Sequence, residues 1–117
     1  MNLRTSVYVI VALIPPGRVV SYGDIAGMLG MSPRMVGRYL ALSQGADLPW
    51  WRVVNAGGEL PAHVREQALQ HWQDEDIELK ANGCGVPIRR YRADLAQLAD
   101  AAEAALGPLT GIDDFTG

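Results

Sequence analysis

The 117-residue sequence predicts one mainly α-helical domain with small β hairpins, in which two short helices form a helix-turn-helix unit. Residues 5–14 carry apolar side chains at helical spacing, which is typical of an amphipathic helix. Two helix start signals, at Ser21 and Ser32, then follow closely, with Gly30 between them. The other apolar runs are short and bounded by glycine or proline, so we expect strands only as short pairs.

The composition favours an ordinary soluble globular protein. Apolar residues make up 49% of the chain and charged residues 20%. No apolar run approaches the ~18 residues of a membrane helix, and no basic leader precedes a cleavage site, so we expect a cytoplasmic protein without a membrane partner. The single cysteine, Cys84, excludes an internal disulfide and is consistent with a reducing compartment. A monomer is the simplest expectation.

The charges are unevenly distributed along the chain. The net charge is −3, which alone argues against nucleic acid as a partner. Residues 1–58 nevertheless carry five basic and two acidic side chains, whereas residues 59–117 carry five basic and eleven acidic ones. A basic front half on an acidic body is compatible with DNA binding through one face, although small asymmetries of this kind are common.

The first three predicted helices have clear boundaries. The first spans residues 5–14 and must end at Pro15 and Pro16, after which residues 18–20 are extended. Ser21 and Asp24 have the spacing of a capping box. Gly30 can end the second helix in the left-handed conformation, and Ser32 can cap the third. The predicted bounds of these two helices are residues 22–29 and 33–43.

The third helix has one face that suits DNA. Val36, Tyr39 and Leu40 turn inward, and the opposite face is basic and otherwise small. That face consists of Arg34, Gly37, Arg38 and Ala41. Small residues allow close approach to phosphates and arginines supply charge, so the pattern is compatible with DNA binding, although an ordinary helical hairpin produces it more often.

The second half of the chain predicts two hairpins and two helices. Residues 52–56 form a strand that turns at Gly57 and Gly58 and returns through Glu59 and Leu60. A helix over residues 61–72 turns Val64, Ala68 and Trp72 inward, and a solvated acidic break follows at residues 74–76. Residues 77–88 form a small hairpin or wing around Asn82 and Gly83. A last helix over residues 91–106 ends at Gly107 and Pro108, before an acidic tail.

Three segments in order resemble O6-alkylguanine-DNA alkyltransferases. Residues 14–26 (Ile-Pro-Pro-Gly-Arg-Val-Val-Ser-Tyr-Gly-Asp-Ile-Ala) resemble the opening of their DNA-binding domain, and residues 32–37 (Ser-Pro-Arg-Met-Val-Gly) resemble the start of their recognition helix. Residues 48–55 (Leu-Pro-Trp-Trp-Arg-Val-Val-Asn) resemble the active-site segment, whose pattern is Pro-Cys-His-Arg-Val. The resemblance covers residues 3 to about 92 and implies a winged helix-turn-helix domain over residues 1–92. Residues 93–117 would then add a C-terminal helix and acidic tail, packed on the same domain.

Trp50 stands where those enzymes have the nucleophilic cysteine, which is the mark of the alkyltransferase-like proteins. The resemblance therefore implies a protein that transfers nothing, binds the minor groove, flips an O6-alkylguanine into a pocket and passes the complex to nucleotide excision repair. Tyr22 would press on the phosphate and Arg34 would fill the gap in the base stack. The implied lesion pocket consists of Trp50, Tyr22, Trp51, Val53, Asn55 and His63. The implied DNA contacts are Tyr22, Ser32, Arg34, Gly37 and Arg38, together with Arg18 and Arg52.

Four departures from the family pattern qualify this reading. Trp51 replaces a histidine, which removes even the remnant of a proton relay. On a strand Trp51 would point opposite to Trp50, so we expect it to pack in the core rather than face a ligand. His63 falls near a position where some relatives carry an arginine beside the alkyl group. Ala93 stands where a tryptophan often closes a basic-aromatic motif, and residues 93–117 extend beyond the usual end. Arg18, Arg38 and Arg52 are either phosphate contacts or solvated charges, and Arg52 has the further option of tying its strand to neighbouring segments.

The residues themselves argue for binding without catalysis. Alkyl transfer to protein requires a thiolate activated by a nearby base or charge. Indole cannot replace it, and Cys84 lies in an Asn-Gly-Cys-Gly turn sequence without an adjacent base. His63, His71 and Cys84 are too widely spaced for a convincing zinc site, and no glycine-rich phosphate loop precedes a helix, so no cofactor is expected. Two alternatives remain: a winged-helix transcriptional regulator of undamaged DNA, and an interaction module that no longer binds DNA.

Overall fold

The computed structural model describes residues 2–43 and 47–109. Helices predominate among them, which confirms the mainly α-helical class. The helices are α1 (Leu3–Leu13), α2 (Tyr22–Leu29), α3 (Pro33–Ala41), α4 (Ala62–Asp74), α5 (Ile88–Tyr91) and α6 (Leu95–Leu106), and the strands are β1 (Val20–Ser21) and β2 (Val53–Val54). A single 3-10 turn, Trp50–Arg52, precedes β2. No helix in the described ranges is long and apolar enough to span a bilayer.

The start and stop signals of the helix-turn-helix unit are those predicted. The Ser21 hydroxyl accepts a hydrogen bond from the Asp24 amide at 2.9 Å, and the Asp24 carboxylate accepts one from the Ser21 amide at 2.8 Å. Gly30 ends α2 at φ 66°, in the left-handed region that glycine adopts without steric cost. Ser32 caps α3 through the Met35 amide at 3.2 Å. Helix α3 ends at Ala41, slightly earlier than predicted.

Two hydrophobic clusters form the core. The larger one joins buried side chains of α1, α2, α3 and α6, such as Ile10, Ile25, Val36 and Leu98. The smaller one packs α4 against β2 around the fully buried Trp72. Tyr22 contacts both clusters, so the first residue of α2 lies at their junction.

The two predicted hairpins are wrong, and a parallel pair replaces them. Val20 and Ser21 of β1 pair with Val53 and Val54 of β2 in a two-stranded parallel sheet. The residues after β2 turn back, since the Asn55 amide donates to the Glu59 carbonyl at 2.9 Å, but they add no strand. Around Gly83 the chain forms a tight turn closed by a hydrogen bond from the Lys80 amide to the Gly85 carbonyl. The antiparallel bridge in this segment joins Gly85 to Glu59, and the Val86 amide donates to the Gly58 carbonyl at 2.9 Å, so the segment pairs with the turn after β2.

The C-terminal helix is also divided, contrary to the prediction of one helix over residues 91–106. The backbone at residues 91–93 is held by Val19, whose amide donates to the Tyr91 carbonyl and whose carbonyl accepts from the Ala93 amide, both at 2.9 Å. Because these bonds hold the segment extended, α5 ends at Tyr91 and Asp94 caps a separate α6. Helix α6 then packs on α1 through the buried Leu98 and Ala102.

Candidate nucleic-acid interface

A cavity of about 510 Å³ opens between α3, the 3-10 turn and the first turns of α4. Its walls combine aromatic and aliphatic side chains with a few polar ones, the composition typical of small-molecule sites. The lining residues include Tyr22, Gly37, Leu40, Trp50, His63, Val64 and Gln67. An adjoining cavity shares Tyr22, Gly37, Leu60 and Pro61 with it and adds Arg34 and Asn55. The two form one groove along the small face of α3.

Tyr22 stands at the centre of this groove. Its ring is half-buried and lines both cavities. Burial raises the pKa of the Tyr22 hydroxyl above its usual value, so the side chain is a neutral hydrogen-bond donor at physiological pH. A Cβ added at Gly37 would lie 3.9 Å from the Tyr22 ring. The missing side chain at Gly37 therefore leaves the groove open beside the ring.

The arginines of the helix-turn-helix unit are accessible to solvent, and one of them lines the groove. Arg34 and Arg38 are exposed on α3, as is the capping residue Ser32. Arg34 lines the outer cavity, one residue past the proline that starts the helix. Arg18 is also exposed, and its guanidinium donates to the Arg90 carbonyl at 3.4 Å. These positions suit phosphate contacts, and their roles in DNA binding stay predictions.

The two tryptophans occupy a 3-10 turn rather than a strand, which corrects the predicted start of the strand at Arg52. The ring centroids of Trp50 and Trp51 are 5.8 Å apart, with the planes at 86°. Trp50 lines the inner cavity. Trp51 turns away and stacks on His71, with centroids 3.7 Å apart and planes at 6°. Trp51 thus supports the turn, and it is not among the described residues that line the cavity.

Glu75 joins the tryptophan turn to two other segments, contrary to the predicted solvated acidic break. Its carboxylate accepts hydrogen bonds from the Trp51 indole N–H at 2.9 Å, the Gly17 amide at 2.9 Å and the Arg52 guanidinium at 2.6 Å. Burial raises the pKa of Glu75, but the hydrogen bonds from Arg52, Gly17 and Trp51 outweigh it, so the pKa lies below its usual value. Asp74 and Asp76 are exposed as predicted.

Arg52 is engaged inside the protein, which corrects its placement among the DNA contacts. Besides the ion pair with Glu75, its guanidinium donates to the Ile14 carbonyl at 2.9 Å, and 13% of the side chain is exposed. The second option for this residue, tying its segment to neighbours, is what the geometry shows. Val53 is fully buried in β2 and cannot contact a base there, which corrects its placement in the pocket.

The structure thus brings together only part of the predicted pocket. Tyr22, Trp50 and His63 line the inner cavity and Asn55 the outer one. The sequence reasoning missed the C-terminal end of α3 and the start of α4 as walls. The missed lining residues are Leu40, Ala41, Ser43, Leu60, Pro61, Val64 and Gln67. The i, i+4 spacing of His63 and Gln67, on one face of the predicted helix, was the signal that would have found that wall.

The described residues offer no cluster of three or more histidine, cysteine or acidic side chains arranged to hold a metal ion. Cys84 is half-buried in its turn, where its thiol contacts the Asn82 carbonyl at 3.5 Å. Neither cavity described above includes Cys84 in its lining.

Comparison with known proteins places this geometry in a family. Residues 2–77 match the family described as 6-O-methylguanine DNA methyltransferase, DNA binding domain. A DNA base-flipping protein of Escherichia coli (strain K12) is 47% identical over 91 residues, which cover 74% of this chain and 70% of that protein. Alkyltransferase-like protein 1 of Schizosaccharomyces pombe is 41% identical over 88 residues, which cover 69% of this chain and 82% of that protein.

The fold matches a solved structure of the same kind. The crystal structure of S. pombe Atl1 in complex with damaged DNA containing O6-carboxymethylguanine matches this chain with a TM-score of 0.69 and 26% sequence identity, covering 80% of this chain and 99% of that one. The predicted alkyltransferase-type DNA-binding fold is therefore confirmed. The chain belongs to the family of the 6-O-methylguanine DNA methyltransferase DNA-binding domain and, within it, to the alkyltransferase-like proteins.

Proposed function

We propose that this protein binds O6-alkylguanine in double-stranded DNA by rotating the damaged nucleotide into the groove between α3 and α4, and that it transfers no alkyl group. The observation that carries the proposal is the cavity itself, which Tyr22 and Trp50 line beside the exposed Arg34. The comparisons support it, since one relative is named a DNA base-flipping protein and the matching crystal structure contains DNA with O6-carboxymethylguanine.

The free energies of flipping and stacking explain selectivity for damage. Extruding a base costs a few kcal/mol, and less when the lesion has already weakened its pairing. Stacking on an aromatic side chain returns about 1–3 kcal/mol. A wall formed by Trp50 can therefore offset flipping of an alkylated guanine and fall short for a normal one. Each alkyl methylene buried in the cavity adds about 0.8 kcal/mol.

The helix-turn-helix unit supplies docking from the minor groove. Arg34 occupies the base stack where the nucleotide has left, and Arg38 and Arg18 contact phosphates. Tyr22 presses on the phosphate of the rotating nucleotide from the start of α2. Ser32 and Gly37 let the backbone of α3 approach the DNA, because both present little bulk.

The absence of transfer follows from the side chains at the site. Trp50 occupies the position of the enzymes' cysteine and Trp51 that of their histidine, so the nucleophile and its base are both replaced. Cys84 lies outside the described cavity walls, in a turn near Asn82. A bound lesion would therefore keep its alkyl group. In the proposed function a monomer of this protein forms the complex with the lesion in the cytoplasm, and that complex recruits nucleotide excision repair proteins.

Duplex binding tests the proposal directly. Two duplexes of identical sequence, one with a single O6-methylguanine and one with guanine, are titrated with wild-type protein, Tyr22→Ala, Arg34→Ala and Arg89→Ala. Arg89 is exposed and lines neither cavity, so it controls for loss of one positive charge. We expect wild type to prefer the lesion, Tyr22→Ala to lose the preference, and Arg34→Ala to weaken binding about tenfold (about 1.4 kcal/mol), more than Arg89→Ala.

Other outcomes point to the other functions. Equal wild-type affinity for the two duplexes overturns lesion binding. If tight binding to particular undamaged sequences accompanies it, a transcriptional regulator is indicated. An Arg34→Ala variant that binds DNA like wild type favours an interaction module. Mass spectrometry after incubation with the lesion duplex checks for transfer, and protein gaining a methyl group contradicts the proposal.

A further inference from the structure

One carboxylate, at the C-terminal end of α4, ties that helix to two segments distant in the sequence. Glu75 accepts hydrogen bonds from Gly17 in the loop after α1, and from Trp51 and Arg52 in the 3-10 turn. The Arg52 guanidinium also reaches the Ile14 carbonyl at the end of α1. The side chains of Arg52 and Glu75 are 13% and 11% exposed, so water competes little for these bonds.

Three contacts, one of them with Glu75, hold Trp51 in place. Its indole N–H donates to Glu75, its ring stacks on His71, and its carbonyl accepts from the Trp72 indole at 2.8 Å. Trp50 in turn presents its ring at a steep angle to both Trp51 and His71, with centroids 5.8 Å away in each case. The position of Trp50 therefore depends on a packed support that Glu75 ties to the rest of the domain.

We propose that Glu75 is a positioning residue for lesion recognition, which acts through Trp51 and His71 to hold Trp50 in its base-stacking orientation before DNA arrives. The inference rests on the proposed function. It assigns selectivity to a side chain that lines neither cavity. A wall that is already ordered loses less entropy when the base enters, and this saving applies only to the flipped nucleotide.

This role differs from a general contribution to stability. In the proposed function, contacts with undamaged DNA come from exposed phosphate-binding side chains such as Arg38 of α3, which lies outside the 3-10 turn and its support. Loosening the support should weaken binding of the lesion while leaving binding of undamaged duplex in place. The ratio of the two affinities therefore separates positioning from mere loss of folded protein, which lowers both affinities equally.

Two variants and a matched control test the proposal. Glu75→Gln removes the charge and keeps the shape, whereas Trp51→Phe removes the N–H donor together with the five-membered ring and keeps a smaller aromatic ring beside His71. Glu78→Gln is the control, because Glu78 lies close in sequence and pairs with Arg90 at 3.1 Å on the exposed surface. Each protein is titrated with O6-methylguanine and guanine duplexes, and its folded fraction is measured by circular dichroism.

We expect Glu75→Gln to weaken lesion binding about tenfold, the effect of losing one charge-assisted hydrogen bond, and to change binding of undamaged duplex less than twofold. Trp51→Phe should shift the ratio in the same direction, and Glu78→Gln should leave it unchanged. A ratio unchanged in both Glu75→Gln and Trp51→Phe, each folded, overturns the positioning role while leaving the proposed function intact. A wild-type protein without lesion preference overturns both.

Discussion

Trp50 and Trp51 are neighbours in the sequence, and their different surroundings follow from the geometry of one turn. In the 3-10 turn their rings diverge, so that Trp50 faces the cavity and Trp51 faces His71. The turn leaves Trp51 half-buried and packed against the smaller core cluster, with its N–H directed at a carboxylate.

The lowered pKa of Glu75 predicts a specific pH dependence of stability. The pKa of an unfolded glutamate is about 4.3, and the contacts of Glu75 hold its folded pKa below the ordinary value. The stabilisation is therefore complete above about pH 4.3 and is lost as the pH falls through the folded pKa. At pH 7 we expect Glu75→Gln to lower the free energy of unfolding by about 1–3 kcal/mol.

Denaturant unfolding of wild type and Glu75→Gln between neutral and acidic pH measures this effect. Their difference in unfolding free energy should shrink below about pH 4.3, because the wild-type carboxylate becomes protonated and resembles the amide. Glu59, whose pKa is lowered by Lys80, is present in both proteins and cancels in the comparison. A difference that stays constant on acidification would contradict the assignment of the stabilisation to the Glu75 charge.

At the level of single residues, the sequence predicted only those site residues that belong to short recognisable motifs. Tyr22 and Trp50 lie in such motifs and do line the cavity. Glu75 sits between Asp74 and Asp76, and nothing in three consecutive acids shows which one meets Arg52. That contact depends on how α4 ends, and it joins residues 23 positions apart in the chain.

At the scale of elements, α3 contains a glycine that lowers the stability of the helix and leaves the groove beside it open. Gly37 lies inside the helix, where glycine costs about 1 kcal/mol relative to alanine. A Cβ there meets only the Tyr22 ring, at an ordinary 3.9 Å. We expect Gly37→Ala to raise the free energy of unfolding by up to about 1 kcal/mol, yet to weaken binding of the lesion duplex by about fivefold, since the methyl group enters the groove.

Gly27 provides the matched control for this substitution. It lies inside α2, it is exposed, and a Cβ there meets nothing within 4 Å. Gly27→Ala should give a similar gain in stability, measured by denaturant unfolding, with unchanged duplex affinity. If Gly37→Ala binds the lesion duplex as tightly as Gly27→Ala does, the small face of α3 is not part of the binding groove.

Element boundaries show why helices were easier to predict than strands. Each helix cap bonds an amide only three residues further along the chain, so Ser21 and Ser32 predicted the starts of α2 and α3. The parallel pairing of Val20 with Val53 crosses two helices and leaves no local trace. The break between α5 and α6 has the same origin, because Val19 holds the backbone beside Ala93.

For the whole molecule, the C-terminal helix belongs to the same core as the helix-turn-helix unit. Leu98 and Ala102 of α6 are buried with Val7 and Ile10 of α1, in the cluster that also contains Val36 of α3. Buried side chains of α6 therefore share a cluster with those of α1 and α3, whereas the family match ends at residue 77. The division of the chain at residue 92 stays a prediction.

Leu98→Ala tests whether α6 unfolds cooperatively with the rest of the domain. Leu98 is 4% exposed, and truncating a buried leucine costs about 2–5 kcal/mol of unfolding free energy. Leu69→Ala is the control, because Leu69 lies on α4 with 36% of its surface exposed and should cost about 1 kcal/mol or less. Thermal unfolding of Leu98→Ala is monitored by far-UV circular dichroism, which reports on all helices. If α6 is part of the domain, the variant shows one transition, at a lower temperature than wild type. A second, early transition of small amplitude would instead mean that α6 detaches on its own and that the DNA-binding unit is stable without it.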